Sequence, residues 1–224
     1  MTSLNFHTDG AEIRKGILSR DSIEAVKSEI SLGCEQLRRH GIRNLEKRFS
    51  SVAQLASSPD MLNIANELLQ SPPRLVRALF FDKTPEANWF VAWHQDRTVT
   101  LNQRCEMSGW GPWSFKDGVH HVQPPRAVLD KMVTIRLHID DADEKSGCLN
   151  IIPGSHRQGI LAQREIEQLA KNSKPVACVV AAGDAMIMRP HVLHSSSKSQ
   201  SKAHRRVVHL EYSSYALPPN VDWA

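Results

Sequence analysis

The sequence predicts a mainly β fold with packed α-helices, and two features of the 224-residue chain carry that expectation. From residue 74 onward, short apolar or alternating segments follow one another between turn signals, interrupted by one helical segment. Such a series points to a β-sandwich or barrel. Before residue 70 the apolar residues instead recur every three or four positions, the period of a helix with one buried face.

Taken in order, Asp21-Ser22-Ile23-Glu24 fits a capping box, with Asp21 as the cap and Glu24 reaching back to it. Ile23, Val26, Ile30, Cys34 and Leu37 then share a face, and Gly41 follows the basic group Arg38-Arg39-His40 as a stop. Ser58-Pro59 opens a second helix, with Met61, Ile64, Ala65, Leu68 and Leu69 on one side. Strands are expected at 74–81, 132–139, 147–152 (ending in the turn Pro153-Gly154), 175–181, 185–188, 192–194 and 205–212, with a helix at 163–171. The stretch 105–125 holds three Gly, three Pro and two Trp without periodicity, and is expected as a long functional loop. There is no internal repeat and no linker, so the expectation is one domain over 1–224, helical in 1–70 and a β core in 74–212.

Composition narrows the function. Lys plus Arg is 28 against 24 Asp plus Glu, a net +4, and the basic groups are short and scattered, which argues against nucleic acid as a partner. No stretch approaches the roughly 18 apolar residues of a membrane helix, and the first twenty residues hold no signal-peptide core. Cys34, Cys105, Cys148 and Cys178 lack CxxC spacing, so free thiols and a cytoplasmic location are expected. A small-molecule substrate and a monomer or homodimer are expected.

The sharpest motif is Trp93-His94-Gln95-Asp96. Residues i and i+2 of a strand share a face, so His94 and Asp96 present an imidazole and a carboxylate together. A surface His–Asp hydrogen bond is the plain alternative for an isolated pair. What shifts the balance is His194, followed by Ser195-Ser196-Ser197 and, eleven positions on, Arg205. A third ligand from another strand completes a 2-His-1-carboxylate set, the arrangement of non-haem Fe(II). A guanidinium nearby can clamp a carboxylate with two parallel bonds.

These residues, with Leu79-Phe80-Phe81-Asp82-Lys83-Thr84-Pro85, Gly147-Cys148-Leu149, Pro153-Gly154-Ser155-His156 and the run 190–206, resemble the phytanoyl-CoA dioxygenase family, its short bacterial members above all. The match runs from about Gly41 to Tyr212. The resemblance implies a double-stranded β-helix (jelly roll, cupin-like) and an Fe(II)- and 2-oxoglutarate-dependent dioxygenase that uses O2. Carried over residue by residue, it implies His94, Asp96 and His194 as iron ligands and Arg205 as the clamp for the far carboxylate of 2-oxoglutarate. Ser196 lies beside that clamp, Leu79 against the cosubstrate, and Gln95 among the cosubstrate-binding residues. Arg136 stands where the family commonly has Trp, and Arg43 near where it has a basic residue. A carboxylate at 96 argues against halogenation, because related halogenases place a small residue there.

Two competitors lose on strand geometry. His191 lies three positions from His194 and faces the other way on a continuous strand, and after Pro190 a structural role suits it better. Arg206 shares its face with Val208, Leu210 and Tyr212, which suits packing against helices, while Arg205 shares one with Val207, His209 and Glu211. By the same test Thr134, Arg136, His138 and Asp140 face inward, and Val133, Ile135, Leu137 and Ile139 outward. His120-His121 and His156 are expected in loops at the surface. The polar, cationic inner face predicts hydroxylation of a small polar metabolite or natural-product intermediate, with the tryptophans of 105–125 closing over it. The alternatives are a jelly-roll metal enzyme without 2-oxoglutarate, such as a cupin-like isomerase or hydrolase, or a non-catalytic binding protein on the same fold.

Overall fold

Segments that are apolar on one side and polar on the other must pair edge to edge and bury the apolar side, and this builds the larger of two facing sheets. The computed structural model describes residues 3–37 and 41–224, without the side chains of 34–37. The expectations for Cys34, Leu37 and Arg38-Arg39-His40 lie outside the described residues. The strands are β1 (Ala11–Arg14), β2 (Gly41–Arg43), β3 (Arg74–Lys83), β4 (Val91–His94), β5 (Val99–Leu101), β6 (Trp113–Lys116), β7 (Val119–Val122), β8 (Met132–His138), β9 (Leu149–Ile151), β10 (Val176–Cys178), β11 (Ala185–Met188), β12 (His194–Ser196) and β13 (Arg205–Ser213). The helices are α1 (Phe6–Asp9), α2 (Arg20–Leu37), α3 (Ser50–Ala56), α4 (Pro59–Leu69), α5 (Arg126–Leu129) and α6 (Gln163–Asn172).

Six strands form the major sheet in the order β1-β11-β8-β13-β3-β2, and four form the minor sheet in the order β10-β9-β12-β4. Their pairings are antiparallel. The two facing sheets make a jelly roll. Its outer face carries Phe80, Val133, Ile135, Leu137, Val208, Leu210 and Tyr212, which pack on Val26 and Ile30 of α2, Val52 of α3, and Met61, Ile64 and Leu68 of α4. The buried Tyr212 hydroxyl donates to the Ala56 carbonyl at 2.7 Å, tying the sheet to the end of α3.

Several sequence expectations need correction. Residues 1–70 are not purely helical, because β1 and β2 supply both edges of the major sheet. These strands are too short for a period to register. Helix α2 begins two residues earlier than the capping box implied: Ser19 Oγ accepts from the Ser22 N–H at 3.1 Å, and Asp21 sits within the first turn. Stretch 105–125 contains the hairpin β6–β7, which joins β5 in a three-stranded ribbon. Its turn is Asp117-Gly118, with φ of 49° and 77°. Two left-handed central residues match the twist of a tight hairpin, and Asp-Gly is a pair that adopts them. The strand expected at 192–194 begins instead at His194, since Val192 N–H closes a turn on the Arg189 carbonyl at 3.1 Å. Ser58 and Pro59 start α4 as expected.

Candidate metal centre

The facing sheets line a pocket of about 130 Å³. The major sheet lines it with Leu79, Phe81 and Lys83 of β3, Arg136 of β8, and Arg205 and His209 of β13. The minor sheet contributes Val91 and His94 of β4, Leu149 of β9, and His194 and Ser196 of β12, with Asp96 just past β4 and Trp89 just before it. Period-two alternation puts Leu79, Phe81 and Lys83 on one side of β3, and Arg205 and His209 on one side of β13.

His94 and His194 are direct cross-strand partners, and Asp96 is held opposite them by its N–H bond to the Pro190 carbonyl at 2.8 Å. One ligand atom from each of the three lies within 4.8 Å of the others. Asp96 Oδ1 is 3.7 Å from His94 Nε2, and Oδ2 is 3.7 Å from His194 Nε2. Each imidazole is oriented from behind. His94 Nδ1 lies 2.9 Å from the Ala92 carbonyl, and His194 Nδ1 lies 2.9 Å from the Val192 carbonyl. A carbonyl only accepts, so each Nδ1 carries the proton and each Nε2 turns a lone pair into the cavity, the tautomer a metal requires. Burial pushes the His194 imidazole down to about 4, against the pull of Asp96. Burial acts to raise Asp96, but the charges and hydrogen bond of the two histidines outweigh it and keep the carboxyl below its ordinary range.

The other end of the cavity is cationic. Arg205 is 3% exposed, and its Nε and Nη1 have no partner. Lys83 is fully buried and stands directly across the strand pair from it. Lys83 Nζ donates to Ser196 Oγ at 2.6 Å and to the Ser197 carbonyl at 2.5 Å. Burial and the Arg205 charge push this ammonium down to about 8. Arg136 is held to about 10 by burial and by Arg205; its Nη1 bonds His209 Nδ1 at 2.7 Å, and its Nε is unpartnered. His209 Nε2 in turn donates to Glu211 at 3.1 Å, and Glu211 pairs with Arg77 at 2.8 Å. Among the described residues the nearby ion pairs include Arg77–Glu211, His209–Glu211, His204–Asp82 and Arg206–Asp140, and none engages Lys83, Arg136 or Arg205. A buried cation without an acid is costly, so these three fit a site that receives an anion. The unpartnered guanidinium atoms and the two free imidazole nitrogens therefore suit a metal with an anionic cosubstrate.

Of the residues singled out by sequence, His94, Asp96, His194, Arg205, Ser196, Arg136 and Leu79 meet at this cavity. Gln95 does not. It lies between two inward residues and so points outward, where Nε2 donates to the Gly159 carbonyl at 2.7 Å and the His191 carbonyl at 2.9 Å. Its Oε1 accepts from the Leu161 N–H at 2.9 Å and from Arg97 at 3.1 Å. Arg43 does not reach the cavity either; it is half-exposed on β2 and pairs with Asp117 of the ribbon turn at 2.8 Å. His191 is buried and faces Asp130 at 3.3 Å, away from the cluster of His94, Asp96 and His194. His121 and His156, expected at the surface, are buried. Trp110 and Trp113 pack with Tyr215, Leu217 and Trp223, and the indole at the cavity is Trp89. Lys83 is the site residue that sequence reading passed over. The alternation from Leu79 through Phe81 would have found it.

Comparison with known proteins agrees with this geometry. A profile of the family described as phytanoyl-CoA dioxygenase matches residues 6–207. The chain is 26% identical over 222 residues to phytanoyl-CoA dioxygenase domain-containing protein 1 of Danio rerio, covering 90% of this chain and 65% of that protein. It is 24% identical over 231 residues to the L-proline trans-4-hydroxylase of Streptomyces griseoviridis, covering 92% and 76%. The solved structure of HygX from Streptomyces hygroscopicus with nickel and 2-oxoglutarate bound superposes with a TM-score of 0.66 at 18% identity, covering 93% of this chain and 83% of that one. The chain thus spans about two thirds of the length of the zebrafish relative.

Proposed function

The chain belongs to the phytanoyl-CoA dioxygenase family, and we propose that it is an Fe(II)- and 2-oxoglutarate-dependent dioxygenase that hydroxylates a small polar metabolite or natural-product intermediate. One observation carries this reading. Two lone-pair nitrogens and a carboxylate converge within 4.8 Å at one end of a cavity whose other end holds buried cations with no acid of their own.

In this reading His94, Asp96 and His194 hold the iron, and Arg205 receives the distal carboxylate of 2-oxoglutarate. Bound iron with 2-oxoglutarate and O2 supplies the oxidising power that turns a substrate C–H into C–OH, the cosubstrate leaving as succinate and carbon dioxide. The protein contributes placement. The Ala92 and Val192 carbonyls fix both imidazoles, and the Pro190 carbonyl fixes the backbone at Asp96. Leu79, Phe81, Trp89, Val91 and Leu149 exclude water from the walls. The Arg136 guanidinium suits polar or anionic substrate groups better than a long acyl chain.

The test is metal analysis of the purified protein, then anaerobic addition of 2-oxoglutarate to the Fe(II)-loaded form, then a metabolite screen for stimulated succinate release. Stoichiometric iron, a weak visible absorption band on adding 2-oxoglutarate, and stimulation by a compact polar compound are expected. Absence of the band refutes the cosubstrate assignment. Turnover of a long acyl thioester well above the uncoupled background refutes the substrate class.

A further inference from the structure

His94, His194 and His209 line the cavity, and their hydrogen bonds sort them into two kinds. His94 and His194 carry the proton on Nδ1 and turn Nε2 inward. His209 is the reverse. Its Nδ1 lies 2.7 Å from Arg136 Nη1, and a guanidinium only donates, so Nδ1 accepts and the proton sits on Nε2. That Nε2 donates to Glu211 Oε1 at 3.1 Å. Burial pushes the imidazole below its ordinary value against the pull of Glu211, which keeps it neutral.

The chain continues past Glu211. Its Oε1 accepts from Arg77 Nη2 at 2.8 Å, and the same nitrogen donates to the Thr98 carbonyl at 2.9 Å, two residues past Asp96. Arg77, Glu211, His209 and Arg136 are all buried. They are neighbours by register: Glu211 stands opposite Arg77 of β3, and His209 opposite Arg136 of β8. Phe81 flanks the cavity end, its ring centre 5.8 Å from that of His209 and 5.7 Å from the Arg136 guanidinium carbon. Two apolar side chains would fill the place of Arg77 and Glu211 without the desolvation that a buried ion pair carries. What the charged chain adds is direction. It fixes the imidazole, and the imidazole fixes the guanidinium.

Arg136 still has a buried Nε without a partner, and it lies in the cavity wall. Its register partner His209 is four residues along β13 from Arg205, about 13 Å of strand. With the distal carboxylate of 2-oxoglutarate on Arg205 and the 2-oxo acid end on the iron, both carboxylates of the cosubstrate are accounted for. Arg136 is left for an anion of another molecule.

We propose that Arg136 determines specificity for an anionic group of the substrate, a carboxylate or a phosphate, and that His209, Glu211 and Arg77 are positioning residues that aim it. This rests on the function proposed above. The Thr98 carbonyl anchors the chain to the segment that carries Asp96, so the guanidinium is held in a fixed relation to the metal cluster.

Two arms of the test need no substrate. Nitrogen-15 NMR of the zinc(II)-loaded protein, with His209→Asn identifying the resonance, should show His209 neutral and protonated on Nε2. Calorimetry of the anaerobic Fe(II)-loaded protein should give Arg136→Gln a 2-oxoglutarate dissociation constant within about threefold of wild type. A His209 proton on Nδ1, or weakening of 2-oxoglutarate beyond that range, overturns the proposal. The third arm pairs carboxylic acids with their amides, and phosphate esters with their parent alcohols, in succinate release. The charged member should exceed its neutral partner by about 100-fold in kcat/KM, and Arg136→Gln should erase that preference through KM. His209→Leu should raise KM about 10-fold with kcat kept, and His209→Asn, whose amide oxygen replaces Nδ1 as acceptor, should recover most of the loss. The pair that responds names the anion. A screen in which no charged member stimulates turnover, or a preference that survives Arg136→Gln, overturns the proposal. Failure of the wild-type protein to bind 2-oxoglutarate instead defeats the parent reading of function.

Discussion

Replacing Gln95 separates a bracing role from a cosubstrate-binding one. Its amide ties the end of β4 to the turn before His194 through the His191 carbonyl, and to the 159–161 segment through the Gly159 carbonyl and Leu161 N–H. Gln95 is 5% exposed, so water does not replace these partners freely in Gln95→Ala. Three buried backbone groups would lose their partner. At about 1 kcal/mol per bond, with part of the penalty relieved by relaxation, the loss is about 3 kcal/mol. With a urea slope of about 2 kcal/mol/M, the unfolding midpoint falls by about 1.5 M. The same turn precedes His194, and Asp96 is held to it by the Pro190 carbonyl, so a looser turn spreads the three metal ligands. Iron affinity should fall by about 10-fold, the lower end for groups that orient ligands from outside. Affinity for 2-oxoglutarate at saturating iron should stay unchanged. Urea unfolding, metal competition with a chelator and calorimetric titration read these three quantities separately. An unchanged midpoint with a 2-oxoglutarate affinity weakened more than about 10-fold would falsify the bracing role and return Gln95 to the cosubstrate site.

His194→Ala should abolish iron binding while His191→Ala keeps it, as measured by metal content after dialysis; the reverse would exchange the two assignments. Arg206 holds Asp140 through Nε at 2.7 Å and Nη2 at 2.8 Å on the helix-facing side of β13, so Arg206→Ala should cost about 1–2 kcal/mol of stability. It should leave 2-oxoglutarate affinity alone, whereas Arg205→Ala should weaken that affinity by about 2–5 kcal/mol with iron retained, both read by calorimetry. Burial holds the His191 imidazole down to about 4 despite the opposing charge of Asp130. The folded value lies below the ordinary one of about 6.5, so stability is full above about pH 6.5 and is lost as the pH falls toward 4, by up to about 3 kcal/mol. Urea unfolding at pH 7 and pH 4.5 should show a smaller acid loss in His191→Leu than in wild type; an equal loss places the acid-sensitive group elsewhere.

The parts of this fold that were legible in the sequence are those where local period and tertiary burial agree. In β8 every second residue from Val133 is apolar and packs against helices, and β13 does the same from Val208, so alternation gave both strands and their faces. The candidate metal-binding group was legible because His94 and Asp96 lie two residues apart and His194 stands before a run of small polar residues. Where reading failed, contacts made elsewhere in the chain decide the outcome. β1 and β2 have 4 and 3 residues and exist because the edges of the major sheet accept them. His156 is buried against Gly10, where an added Cβ would stand 2.4 Å from Nδ1, a packing no local pattern announces. The hairpin at 117–118 was readable, since Asp117-Gly118 lies between residues of β character, but its prolines and tryptophans masked the signal.

Gln95 and Lys83 show the two ways in which proximity in sequence misleads about proximity in space. Gln95 is bonded covalently to both sides of the metal-binding pair, yet the pleat turns it out of the cavity, and its amide serves the backbone behind the site. Lys83 is 11 positions before His94 in the chain, but four residues along β3 from Leu79 it shares that residue's face, and the pairing of β3 with β13 brings it opposite Arg205. A jelly roll makes this general, because its site is assembled from the inward positions of strands that are distant in sequence. The informative unit is therefore the face and not the motif. Once Leu79 and Arg205 are placed inward, the pleat carries Lys83 and His209 inward with them, and antiparallel pairing fixes which of them meet. The surplus of buried positive charge that results is unfavourable for the ligand-free fold, and an anionic ligand is what reverses its sign.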